Sequence, residues 1–323
     1  MTNANPCEQM IKKTIQTRNL QMAYHEAGEG PLVVLLHGFP ELGSTWRHQI
    51  KALAEVGYRA IAPDQRGYGG TDAPLKVEAY SILDLVGDVI ALLDALMAEQ
   101  AVVVGHDWGA PIAWATALLR QDRVRAVVGL SIPTGPRSSA PPIELMRKNA
   151  GDDYYMVQFQ KPGLADARLA LNVRESLLRG RYSASGDVPE DQRWVPTDGG
   201  FFDTSVLPGP AEIPDWLDSD HLDDLTENFE RTGFTGGLNW YRNLDRNWRL
   251  MAPFDGMKIL PPALFMTGER DLDFLGNRGM IKRLKAFVPN LRETIIMPGA
   301  GHWLGEERPE EVNSALLKFL SEL

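Results

Sequence analysis

Asp107 lies between Gly105-His106 and Trp108-Gly109, directly after the apolar run Val102-Val103-Val104 and before an amphipathic stretch over residues 110–119. Glycines flanking a central residue permit the sharp, strained strand-to-helix turn that lifts one side chain above the edge of a sheet. A carboxylate there is already charged at neutral pH. It can attack a strained or halogenated carbon directly, whereas a hydroxyl in its place would suit acyl transfer. Read alone, the same aspartate could simply cap the following helix.

Two later loops shift that balance towards a nucleophile. Gly268-Glu269-Arg270-Asp271 follows the apolar run 263–267, and Gly299-Ala300-Gly301-His302-Trp303 follows the run 293–297. The chain order is then nucleophile, acid, histidine, the order expected when such an elbow is part of a catalytic triad. His302 is placed as the base that takes a proton from water. Asp271 would hold its imidazole in one tautomer and stabilise the cation, with Asp273 and Glu269 as nearby alternatives.

Developing negative charge needs preorganised backbone donors. Leu35-Leu36-His37-Gly38-Phe39-Pro40 supplies one: a strand ends at Gly38, where backbone can come close to a substrate, and Phe39-Pro40 is a candidate cis peptide. The expected donors are the N–H groups of Phe39 and Trp108, with His37, Gly38 and Pro40 supporting the loop.

These residues need a frame. Short apolar runs at 32–36, 59–62, 101–104, 124–132, 263–267 and 293–297 read as strands covered on both faces. Ile82, Val86, Val89, Ile90, Leu93 and Leu96 put an apolar stripe on one side of a helix between them. Alternating strand and helix imply a mainly parallel sheet with right-handed crossovers, and 11–17 and 20–26 are read as added antiparallel edge strands. The alternation stops after Ile132-Pro133 and resumes at Ala263. The interval is rich in Trp, Tyr, Phe, Pro and Asp, with helical stretches at 164–178 and 220–231 around a turn-rich 183–214. It reads as a mostly helical lid over the carboxyl edge of the sheet, where open α/β sheets bind ligands.

With 323 residues, 44% of them hydrophobic, the chain can bury a large core. A net charge of -10 argues against a sequence-independent grip on nucleic acid or an acidic membrane surface. Cys7 is the only cysteine, which rules out an intramolecular disulfide and a cysteine-built metal site. Residues 1–13 lack an apolar core of signal-peptide length, and no stretch is long enough to span a bilayer. The expectation is a cytoplasmic protein without cofactor or metal, monomeric or homodimeric.

His37-Gly38-Phe39-Pro40-Glu41, Asp64-Gln65-Arg66-Gly67-Tyr68-Gly69, the Asp107 elbow and the His302 loop together resemble the soluble epoxide hydrolases of the α/β-hydrolase superfamily. The resemblance extends to Tyr155 before Phe159-Gln160-Lys161-Pro162-Gly163 and to Tyr241 in Leu238-Asn239-Trp240-Tyr241-Arg242-Asn243. It implies an α/β-hydrolase core over 1–133 and 250–323 with an inserted helical cap over 134–249, and no phosphatase-like second activity. It also implies that Tyr155 and Tyr241 bind the epoxide oxygen and protonate it as the ring opens, with Tyr154 a neighbouring alternative to Tyr155. Glu41 resembles a glutamate that organises the hydrolytic water, and an exposed acid at a helix start is the equal alternative. The Arg66-Gly67-Tyr68-Gly69-Gly70 segment is read as a turn beneath the site, and His25, His48, His106 and His221 receive no catalytic role.

The implied reaction turns a small apolar epoxide and water into a vicinal diol through an Asp107 ester. Haloalkane dehalogenases share the aspartate elbow, but Phe39 stands where many carry a halide-binding asparagine. Fluoroacetate-type dehalogenases typically have arginine where this chain has Trp108. A non-catalytic ligand carrier is the reading from another class, and it would need none of the triad and tyrosines jointly. Trp194, Phe201, Phe202, Trp216, Trp240 and Trp248 are expected to contribute to an apolar pocket or to the lid's own core.

Overall fold

Runs of apolar residues without alternation become strands with both faces covered. The computed structural model describes residues 10–193 and 207–323, so Cys7, Trp194, Phe201 and Phe202 lie outside the described residues. Its strands are β1 (Ile11–Gln16), β2 (Gln21–Ala27), β3 (Leu32–Leu36), β4 (Arg59–Pro63), β5 (Ala101–His106), β6 (Val124–Leu130), β7 (Ala263–Gly268) and β8 (Leu291–Met297). They form one sheet in the order β1-β2-β4-β3-β5-β6-β7-β8. β3 to β8 run parallel, while β2 is antiparallel to both β1 and β4.

The helices are α1 (Arg47–Glu55), α2 (Ile82–Ala95), α3 (Gly109–Leu119), α4 (Pro142–Ala150), α5 (Tyr155–Gln158), α6 (Leu164–Ala170) and α7 (Val173–Ala184). They continue with α8 (Ser219–Thr232), α9 (Thr235–Arg242), α10 (Leu244–Leu250), α11 (Leu272–Ile281), α12 (Leu304–Glu307) and α13 (Pro309–Ser321). Strand geometry sends successive side chains to opposite faces. Val33 and Leu35 therefore join the core beneath α1 and α13, with Ile50, Leu53 and Leu316, while Leu32, Val34 and Leu36 join the one beneath α2 and α3, with Val89 and Ile112. Ser81 and Asp84 close a capping box at the start of α2, so the apolar stripe begins at a defined residue.

Two expected elements are corrected. The helix expected over 164–178 divides into α6 and α7, because the Asn172 side chain accepts from the Glu175 N–H and starts a new helix. The strand expected over 124–132 stops at Leu130, where Ser131 takes a left-handed backbone (φ 68°) and turns the chain out of the sheet.

Among the described residues, helices α4 to α10 are inserted between β6 and β7. They reach the carboxyl ends of the strands: the Phe159 and Tyr241 rings pack edge-on against Phe39, after β3, and Tyr241 packs against Trp108, after β5. A buried ion cluster fastens α7 and α8 to the rest. Glu306 of α12 receives Arg47 of α1 at 2.7 Å, pairs with Arg181 of α7 and lies 3.4 Å from His221 of α8. Among the described residues no helix is long and apolar enough to cross a membrane.

Candidate active site

β5 ends at His106 and α3 begins at Gly109, leaving Asp107 in the tight turn with φ 47°. Few non-glycine residues tolerate that conformation, and aspartate is among the more tolerant. The glycines beside it are there for space. A side chain on Gly105 would strike the Gly109 backbone, and one on Gly109 would strike the Leu36 carbonyl. Gly38 lies so close to the Asp107 carboxylate that a Cβ there would collide with it.

The expected donors point at this carboxylate. Phe39 N–H donates to Asp107 Oδ1 at 2.8 Å, and the Trp108 N–H also bonds the carboxylate. The Phe39-Pro40 peptide is cis. His37 supports the loop from inside: its Nε2 accepts from Gln65 N–H at 2.9 Å and its Nδ1 bonds the Gly38 carbonyl at 2.8 Å. That pairing places the ring proton on Nδ1. Burial raises the Asp107 pKa, while His302 and the two N–H groups oppose the rise.

His302 Nε2 lies 3.7 Å from Asp107 Oδ2, the oxygen not bonded to Phe39. Its Nδ1 faces Asp271 at 3.2 and 3.3 Å, and Asp273 Oδ2 at 3.6 Å. Asp271 is fully buried and caps α11 by accepting the Asp273 N–H at 2.9 Å. Burial alone would raise its pKa, but the charge and hydrogen bond of His302 hold it below the usual carboxylate range. Asp273 goes the other way, pushed up to about 7 by burial and by the charge of Asp271. Burial would depress the His302 pKa, yet Asp271 and the other two carboxylates raise it. Glu269 is exposed and bonds Gly299 N–H, so it takes no part.

A cavity of about 610 Å³ opens beside Asp107, and Tyr155, Tyr241 and Asp273 line it as well. Its size falls in the ordinary range for small-molecule sites. Tyr155 starts α5 and Tyr241 lies in α9, with ring centroids 6.4 Å apart. Burial holds both hydroxyls well above the ordinary tyrosine pKa, so they are proton donors at neutral pH. The Trp108 side chain hydrogen-bonds the Tyr241 hydroxyl. Tyr154 lies next to Tyr155, ring to ring at 5.0 Å, and does not line the cavity.

Other expectations fare differently. Glu41 is buried rather than exposed at a helix start: it accepts the Gly38 N–H at 2.6 Å and faces His106 Nδ1 at 3.0 Å. Burial would raise its pKa, but the neighbouring His106, Arg181 and the Gly38 N–H bring it down to about 2. Trp248 lines the cavity, whereas Trp240 is sealed beneath it with its indole N–H on the Arg66 carbonyl, and Trp216 bonds Asp187 outside the lining. Arg66 forms a two-pronged pair with Asp88, which fits a structural turn.

A family model described as the alpha/beta hydrolase fold matches residues 31–309. Epoxide hydrolase A of Mycobacterium tuberculosis is 45% identical over 318 residues, 97% of this chain and 98% of that one. Epoxide hydrolase 3 of Siraitia grosvenorii is 41% identical over 97% of this chain and 99% of its own. A solved epoxide hydrolase from an endophytic Streptomyces superposes with TM-score 0.92 at 39% identity, covering 97% of this chain and 95% of its own. The chain belongs to the epoxide hydrolase family of the α/β-hydrolase fold.

In this epoxide hydrolase family member, one residue of the site escaped sequence reasoning. His106 packs its ring 4.8 Å from that of His302 and bonds the His302 carbonyl through Nε2 at 2.8 Å, while its Nδ1 faces Glu41. It thus ties the loop after β8 to the loop after β3. Its position just before the nucleophile is the only local sign. The His302 loop is also pinned from the inserted helices, since His302 N–H donates to Ala184 O at 2.9 Å and Glu307 accepts from Gly186 and Gly301.

Proposed function

We propose that the protein hydrolyses an apolar epoxide to a vicinal diol through a covalent ester on Asp107. The observation that carries this reading is two protonated phenols, Tyr241 buried and Tyr155 half-buried, sharing a cavity wall with an elbow carboxylate. A halide leaving group needs no proton, whereas a departing alkoxide does. Asp107 Oδ2 attacks one ring carbon, the carbon–oxygen bond opens, and Tyr155 or Tyr241 delivers a proton to the oxygen. The ester carbonyl oxygen, Oδ1, stays at the N–H groups of Phe39 and Trp108. His302, oriented by Asp271, then takes a proton from water, and the hydroxide adds to Asp107 Cγ. The tetrahedral oxyanion sits on those two donors. Its collapse breaks the Cγ–Oδ2 bond, the His302 imidazolium gives its proton to Oδ2, and the neutral diol leaves with that oxygen; the proton left on the regenerated Asp107 carboxyl restores the tyrosine that protonated the ring oxygen.

Glu41, coupled to His106, is the water-orienting acid in this scheme, and Gly38, His37 and Pro40 hold its loop. The reaction uses no cofactor or metal. We assign 1–133 and 250–323 to the catalytic core and 134–249 to the cap, and we place the protein in the cytoplasm as a monomer or homodimer. A single turnover in heavy-oxygen water tests the route: the first diol should carry no label, because its new oxygen comes from Asp107. Immediate full labelling overturns the covalent step. Run beside Asp107→Ala, a panel of epoxides and haloalkanes tests the electrophile, and halide release without diol release would overturn it.

A further inference from the structure

Besides Asp107 and Asp273, two charged residues line the cavity: Arg137 and Asp255. Arg137 is half-buried, and among the described residues it has no carboxylate within ion-pair distance. It is nevertheless held in place. Its guanidinium carbon sits 3.5 Å over the Trp248 ring, and its Nε donates to the Trp248 carbonyl at 2.9 Å. The Trp248 indole N–H returns a bond to Ser138 O at 2.9 Å, so loop and helix α10 lock each other. Stacking and the Nε bond fix the plane of the guanidinium and leave its two terminal nitrogens as a fork. That fork is the geometry that receives a carboxylate through two parallel bonds.

The lining beside these residues is apolar, with Trp248, Met251, Phe254 and Met280 among it. With no ion pair to a carboxylate among the described residues, an oriented guanidinium on the wall of a mostly apolar cavity costs desolvation unless an anion joins it. We propose that Arg137 is a specificity-determining residue that binds a carboxylate at the far end of the substrate from its epoxide. The inference rests on the epoxide-hydrolysis reading. Asp255 is exposed and works against the anion, so it sets how strong the preference can be.

The test is a series of ω-epoxyalkanoates of increasing length, each beside its methyl ester, with diol formation as the readout. A charge-assisted pair in a partly shielded site favours the acid over the ester by about tenfold in kcat/KM at the length that spans the cavity. In Arg137→Gln the acid-to-ester ratio should fall to about one. Arg137→Lys should keep part of it, and Asp255→Asn should increase it. No acid preference at any length, or a preference surviving in Arg137→Gln, overturns the proposal. Calorimetric binding of the dihydroxyalkanoate products separates the two readings. If neither acids nor esters are turned over but the product acids still bind through Arg137, the hydrolysis reading fails and the anion site stands.

Discussion

Replacing Asp271 by asparagine separates the acid that serves His302 from the one merely near it. Both Asp271 oxygens lie within 3.3 Å of His302 Nδ1, in full burial, whereas Asp273 approaches to 3.6 Å with 31% of its side chain exposed. A unit charge at 3.2 Å in a medium of effective dielectric about 20 is worth roughly 5 kcal/mol to the imidazolium. An asparagine also invites the wrong tautomer, and the two effects together predict a loss of about three to four orders of magnitude in ester hydrolysis. Asp273, farther from the ring and without a hydrogen bond to it, should cost less than about tenfold when changed to asparagine. Asparagine caps a helix as well as aspartate does, so α11 and the fold should survive Asp271→Asn. Rapid quenching and intact-mass analysis would follow the ester directly. Asp271→Asn should form it within a few-fold of the native rate and then hold it. If Asp273→Asn stalls deacylation more than Asp271→Asn, the assignment of the acid is wrong.

His302→Gln removes the base itself and should leave a stable adduct one substrate heavier than the protein; absence of that adduct with a turned-over epoxide would be contrary to the scheme. Tyr155→Phe and Tyr241→Phe should each slow ester formation by about ten- to a hundredfold, and the double change should slow it far beyond either alone, as stopped-flow alkylation rates would show. Glu41 has a folded pKa of about 2 against an ordinary 4.5, so its charge stabilises the fold, fully above about pH 4.5 and progressively less towards pH 2. On the order of 3 kcal/mol is at stake, and Glu41→Gln should flatten the acid limb of a stability-against-pH curve measured by denaturant melts. Asp107, Asp273 and His302 bring ligand atoms within 4.8 Å of one another, a spacing that suits an ion, yet prolonged chelation should leave diol formation unchanged.

The residues that do local work were legible in the sequence. Glycine spacing around Asp107 encodes a turn, and β3 and α2 follow from apolar runs and an apolar stripe that need no distant partner. The tyrosines were legible only through resemblance, since nothing in the spacing of Tyr155 and Tyr241 places their rings 6.4 Å apart. What stayed hidden depends on contacts between distant parts of the chain. His106 meets Glu41 across 65 residues and His302 across 196, and neither contact leaves a local pattern. Glu41 reads as a surface acid because burial of a charge is decided by the neighbours the fold delivers. Trp240 and Trp248, eight positions apart, part company for the same reason: one faces the core and the other the cavity.

The ion cluster around Glu306 has a consequence for anyone exchanging parts between relatives. The inserted helices look like a removable module, because they enter after β6 and leave before β7. Arg181 and His221 travel with that module, while Arg47 and Glu306 stay behind. A graft lacking Arg181 leaves the buried Glu306 with Arg47 alone, and removing one partner from a buried ion pair costs up to about 3–5 kcal/mol. That is a large share of the stability a domain has to lose. Chimeras in this family should therefore be cut so that positions 47, 181, 221 and 306 are inherited together.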